Sequence, residues 1–130
     1  MVKIKLVCKI LIMYNYMVFI SLLEDYTILR PILHYFLHFI FPGIIGYIFF
    51  RSQWKKAWLI MIATMLVDLD HLLAYPNIYD PLRCSIGFHP LHTVWAMIFY
   101  ALFVFHPKLR IWGVGLLLHM ATDWIDCLSI

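Results

Sequence analysis

Charged side chains are scarce in this chain: Asp, Glu, Lys and Arg make up 13% of its 130 residues. Soluble domains carry about 25%. With 65% of the residues hydrophobic and a mean hydropathy of +0.88, a soluble fold of this length could not hide its apolar surface. The composition points to an integral membrane protein. Glycine is sparse as well, at five residues, and no glycine-rich run is shaped to cradle a phosphate. A Gly-x-Ser-x-Gly elbow and a basic patch interleaved with aromatics are also missing. Nucleotide chemistry and nucleic-acid partners therefore have no local support. Three cysteines, Cys8, Cys84 and Cys127, do not supply a thiolate set for a cysteine-rich structural zinc site. No low-complexity tract or linker interrupts the chain. The net charge of +3 comes from short basic clusters, which report topology rather than a polyanionic partner.

What the chain has instead is long apolar runs. A membrane span needs roughly 20 apolar residues, and four candidates cover about 28–50, 57–73, 91–105 and 111–128. The first carries His34 and His38 and is expected to kink at Pro42-Gly43. The third is short but sufficient if its helix starts near His89. In residues 1–23, Lys3, Lys5 and Lys9 precede an apolar stretch with no small-x-small cleavage site. That pattern predicts an uncleaved fifth helix, an upstream extension being the alternative. The expected fold is all-α: a multi-pass transmembrane bundle of four core spans plus an N-terminal fifth helix. Residues 1–27 form a signal-anchor-like segment or extension, and residues 28–130 the four-helix metal-site domain. Arg51, Lys55 and Lys56 in one turn, and Lys108 and Arg110 in another, belong in the cytoplasm by the positive-inside rule. The N-terminus is then cytoplasmic, and the loop at 74–88 and the C-terminus lie outside the inner membrane.

This topology gathers the ionisable residues. His34, Asp68, Asp70, His71, His89, His92, His119 and Asp123 all fall near the outer end of their spans, His38 one turn deeper. His34/His38 and His119/Asp123 are spaced i,i+4, and Asp68/His71 and His89/His92 i,i+3, spacings that share one helix face. An Asp at a helix centre costs about 2.5–3.5 kcal/mol on insertion scales. A divalent cation offsets that cost by neutralising carboxylates and accepting imidazole lone pairs. Histidine with aspartate suits zinc first, manganese or iron as alternatives, as one or two ions. Bland readings stand beside this one. His38 can be a packing residue, Asp68 a cap, Asp70 a salt-bridge partner of Arg83, Asp80 a turn residue, and Asp126 an interfacial or supporting group. Cys84 and Cys127 face the oxidising side, where a disulfide, free thiols or metal ligation are all open. Cys8 reads as an inert apolar residue.

"HYFLH", "VDLDH", "HPLH" and "HMATD", in that order, resemble motifs of small bacterial inner-membrane proteins assigned as metal-dependent hydrolases, the YdjM-like group. Within it, "ATMLVDLDHLLA", "RCSIGFHPLH" and "LLLHMATDWIDC" look closer to a compact family of unknown function from Bacteroidetes-type bacteria. The resemblance covers roughly residues 31–128. It implies a relation to zinc-dependent phospholipase C enzymes, with the eight residues above as counterpart ligands. This chain is shorter, and its third motif, "FHPLH", departs from the His-Arg-Gly-x-Thr-His type.

The expected function is a membrane-embedded metal-dependent hydrolase acting on a lipid headgroup at the outer face, a phosphoester rather than an amide. A bound ion would bring the pKa of its water to about 7, and Asp70 or Asp123, if not a ligand, would serve as general base. Membrane lipids are the expected partners. The enzymatic rival is an amidase of the alkaline-ceramidase kind, because those proteins join a Ser to Asp and His around zinc and Ser85 lies beside the motif. The non-enzymatic rival is a metal-binding or structural membrane protein.

Overall fold

The computed structural model describes residues 28–78 and 84–128. The expectations for residues 1–27 (the fifth helix, the cytoplasmic N-terminus and Cys8), and those for Asp80 and Arg83, lie outside the described residues. By compactness the chain divides into Met1–Leu33 and His34–Ile130. Of the first unit, the described residues 28–33 are helical and mostly exposed.

All described secondary structure is helical. Helix α1, Ile28–Phe49, contains a π turn at Phe36–Ile40. There the Phe41 N–H reaches back to the Phe36 carbonyl, one turn ahead of Pro42, which has no N–H to continue the α ladder. The irregularity expected at Pro42-Gly43 therefore precedes the proline. A short 3₁₀ turn, Arg51–Gln53, leads to α2, Trp54–Ala63. The chain then tightens into a 3₁₀ helix over Thr64–Leu73. A second 3₁₀ turn, Pro90–His92, precedes α3, Val94–Phe105. Thr93 caps α3, its Oγ1 accepting from the Ala96 N–H. Helix α4 runs over Arg110–Cys127.

Glycines set how closely these helices approach. A Cβ on Gly113 would sit 2.7 Å from the Val104 nitrogen and 2.8 Å from the Tyr100 carbonyl oxygen. One on Gly115 would sit 2.9 Å from the Met61 Cα. Helix α4 is thus drawn onto α3 at one glycine and onto α2 at the next, as small residues allow. Cys84 and Cys127 form a disulfide with Cα atoms 4.9 Å apart, within the ordinary range. It ties the loop before Pro90–His92 to the last turn of α4.

Burial is inverted relative to a soluble domain. Among the described residues the buried polar set is His38, Thr64, Asp70, His89, His92, His119, Thr122 and Asp123. The buried hydrophobic set is smaller: Ala57, Met61, Val67, Tyr100 and Met120. Large apolar side chains such as Ile48, Leu66, Trp95, Phe99 and Phe105 lie outside. Among the described residues only Ile28–Phe49 is both long and apolar enough to cross a membrane; Val94–Phe105 is apolar but shorter. Helix α4 has 18 residues, but His119, Asp123 and Asp126 lower its hydropathy.

Candidate metal centre

The site begins with the winding of the segment that carries "VDLDH". In an α-helix, at about 100° per residue, Asp68 and Asp70 would point about 160° apart. At about 120° per residue, 3₁₀ winding narrows that angle to about 120° and brings His71 into line with Asp68. Such winding rarely lasts beyond one turn, yet here it runs for ten residues, Thr64–Leu73. The result is that all three side chains address the same interior.

Four ligand atoms meet there. His92 Nε2 lies 3.2 Å from Asp68 Oδ1 and 3.1 Å from Asp123 Oδ2. His119 Nε2 lies 3.0 Å from the same Asp68 oxygen and 3.4 Å from the same Asp123 oxygen. Two imidazole nitrogens and two carboxylate oxygens so close a ring, all four within 4.8 Å of one another. A tetrahedral zinc with bonds of about 2.0–2.1 Å has ligand-to-ligand edges of about 3.3–3.4 Å. The ring edges match that size. His119 Nε2 and Asp68 Oδ1 are hydrogen-bonded to each other, whereas His92 Nε2 and Asp123 Oδ2 are buried and neither makes a hydrogen bond, which leaves two polar atoms that an ion would satisfy. The donor set and these orphaned atoms fit a divalent cation.

The surroundings orient the ring. His92 Nδ1 donates to Asp70 Oδ2 at 3.1 Å, and the same oxygen accepts the Leu91 N–H at 2.8 Å. This leaves the His92 Nε2 lone pair for the centre, the carboxylate–histidine arrangement common behind metal ligands. Tyr100 donates its hydroxyl to the Leu91 carbonyl at 2.9 Å, so the Pro90–His92 turn is held from both sides. His38 packs its ring 4.8 Å from that of His119, with Nε2 3.7 Å from Asp123 Oδ1. Asp68 is the exposed wall, its side chain 40% accessible against 9% for Asp123.

Asp70, His71 and His89 form a second group whose ligand atoms also lie within 4.8 Å. The His71 and His89 rings stack at 3.8 Å with planes 27° apart. Of the residues expected to bind metal, seven therefore fall in two adjacent groups. His34 falls in neither: its Nδ1 pairs with Asp126 Oδ2. The i,i+4 spacing from His34 marked His38 as a neighbour of the site, but its contact with Asp123 was not readable from spacing. Ser85 was noted only for its sequence position, and its hydroxyl lies 3.2 Å from His71 Nε2.

These four motifs occupy the stretch that a family profile matches, residues 28–130. The chain belongs to the DUF6122 family, a family of unknown function. No curated protein and no solved structure matches the chain. Within this family member, the buried His/Asp groups are the feature with the chemistry to hold a metal ion.

Proposed function

We propose that this chain is a multi-pass protein of the bacterial inner membrane whose Asp68–His92–His119–Asp123 ring binds a divalent cation, zinc first. It hydrolyses a lipid headgroup phosphoester at the outer face. The observation that carries the reading is the ring itself, two imidazoles and two carboxylates with edges of 3.0–3.4 Å in a polar interior wrapped by apolar side chains. That inverted burial favours lipid as the surrounding medium, and the likeness of the four motifs to the YdjM-like group favours hydrolysis.

A bound ion would supply Lewis-acid polarisation and a water ionisable near neutrality. The chain's own residues do the rest. Asp70 holds the His92 ring, His38 packs behind His119, and Asp68, the most accessible wall, marks where a headgroup would enter. The second reading, a structural metal site, is favoured by one feature: four protein ligands already complete a tetrahedron, whereas catalytic zinc sites keep a position open.

Elemental analysis of the detergent-purified protein tests the centre. The expected result is one or two equivalents of zinc, manganese or iron, lost in the His119→Ala/Asp123→Ala double variant while membrane insertion persists. Protein that stays metal-free after reconstitution would reject the reading. Metal retention with no turnover across a panel of headgroup phosphoesters would select the structural role.

A further inference from the structure

We infer that Ser85 is a nucleophile activated by His71, whose ring the Asp68 carbonyl holds in the tautomer that can take the proton. The geometry around His71 assigns its tautomer. Nδ1 is surrounded by acceptors: the Asp68 carbonyl oxygen at 3.1 Å, Asp70 Oδ1 at 3.2 Å and Asp68 Oδ1 at 3.7 Å. The ring proton therefore sits on Nδ1, and Nε2 is left with its lone pair. That nitrogen faces the Ser85 hydroxyl at 3.2 Å, and so Ser85 donates to it. Hydroxyl and imidazole paired in this way, with the Asp68 carbonyl fixing the tautomer, make a serine–histidine dyad of the kind that activates a serine on unrelated folds.

Three features hold the arrangement still. His89, 2% exposed, stacks on one face of the His71 ring, which fixes its plane. The Ser85 carbonyl accepts the N–H groups of Phe88 and His89 at 3.2 and 3.3 Å, and Gly87 supplies the positive φ, 81°, that the turn needs. The disulfide of the adjacent Cys84 anchors this turn to α4. The near-parallel stack also argues against one ion shared by His71 and His89, because in-plane lone pairs of stacked rings do not converge.

Resting on the phosphoester reading above, the step balances as follows. The Ser85 oxygen bonds to phosphorus while its proton passes to His71 Nε2. The bond to the leaving oxygen breaks, and that oxygen takes the proton from Nε2. Water then gives its proton to Nε2 and its hydroxyl to phosphorus, and Ser85 leaves with the proton returned.

The test uses the full chain in detergent, loaded with zinc and treated with a fluorophosphonate, with peptide mass mapping as the readout. One phosphonyl group on Ser85, with fluoride released, is the expected product. His71→Ala should slow its formation by on the order of 10²-fold or more, and Ser85→Ala should abolish it with zinc content unchanged. An unmodified Ser85, or equal rates with and without His71, overturns the proposal. If His71→Ala does not accumulate, exposed Ser52 in the same wild-type molecule is the comparison, and labelling of Ser85 no faster than Ser52 overturns it. Zinc bound with Ser85 unlabelled removes the nucleophile and keeps the metal centre. Ser85 labelled in protein that binds no metal does the reverse.

Discussion

The two nitrogens of His92 have separate tasks. Nε2 belongs to the ring of ligand atoms, and Nδ1 is spent on Asp70, which also holds the backbone of Leu91. Asp70→Ala would remove both hydrogen bonds, which share the Asp70 Oδ2 acceptor, without touching a ring atom. Zinc affinity should then fall about 10- to 100-fold, the usual loss when a ligand-orienting partner is removed, in competition titrations against a chelator. His106→Ala, in the exposed turn before α4, should leave affinity unchanged. Equal affinity in the Asp70 variant would mean that His92 needs no outside support. The residue types of the site were legible in the chain, because carboxylates and imidazoles inside apolar runs stand out on energetic grounds. Their pairings were not. His34 could be matched to its spacing partner His38 but not to Asp126, 92 residues away, and either thiol could have stayed free.

Among the elements, the helix expected to start near His89 does not. His89 and Thr93 are both extended, with ψ 144° and 161°, and between them Pro90–His92 makes its own turn. Pro90 and the capping Thr93 were visible signals of that break, yet the regular i,i+3 spacing of His89 and His92 concealed it. The same spacing rule worked for Asp68 and His71, since residues three apart align even better on a 3₁₀ helix than on an α-helix. Propensity alone cannot foresee ten residues of such winding. Its cause is tertiary, in what Asp68, Asp70 and His71 each contact. The glycines act as points of close helix contact, and their partners differ in compliance. Gly113→Ala drives a methyl group into α3 backbone, for an expected loss of about 1–3 kcal/mol from overpacking in detergent-phase denaturation. Gly43→Ala meets only the Trp58 side chain, at 3.3 Å, and should lose less. A Gly113 variant as stable as the Gly43 variant would show that α3 and α4 can slide apart freely.

For the molecule as a whole, the proposed topology makes a directional prediction. A reporter active only outside the cytoplasm, fused behind Ile130, should give signal, and a cytoplasm-only reporter at the same place should stay silent; the opposite pattern rejects the topology. Apolar character was legible from composition because it depends on totals rather than on contacts, and among the described residues one helix, Ile28–Phe49, is long and apolar enough to cross a membrane. The other three expected spans do not reach that measure; in α4 the residues that make the site also dilute the hydropathy of the helix that carries them. Helix α3 falls short for another reason: at 12 residues it rises about 18 Å, against roughly 30 Å for the hydrocarbon layer.

The ring is also spread along the chain, with Asp68 and His119 51 residues apart. A ribosome making this protein releases Asp68 and His92 well before α4, which carries His119 and Asp123, has been synthesised. During that interval Asp68 has one ring partner, His92, and the arrival of α4 adds the other two, His119 and Asp123. Completion of the centre is thus a late event in synthesis: a chain cut between α3 and α4 keeps Asp68 and His92, half of the ring, and lacks the half that α4 brings.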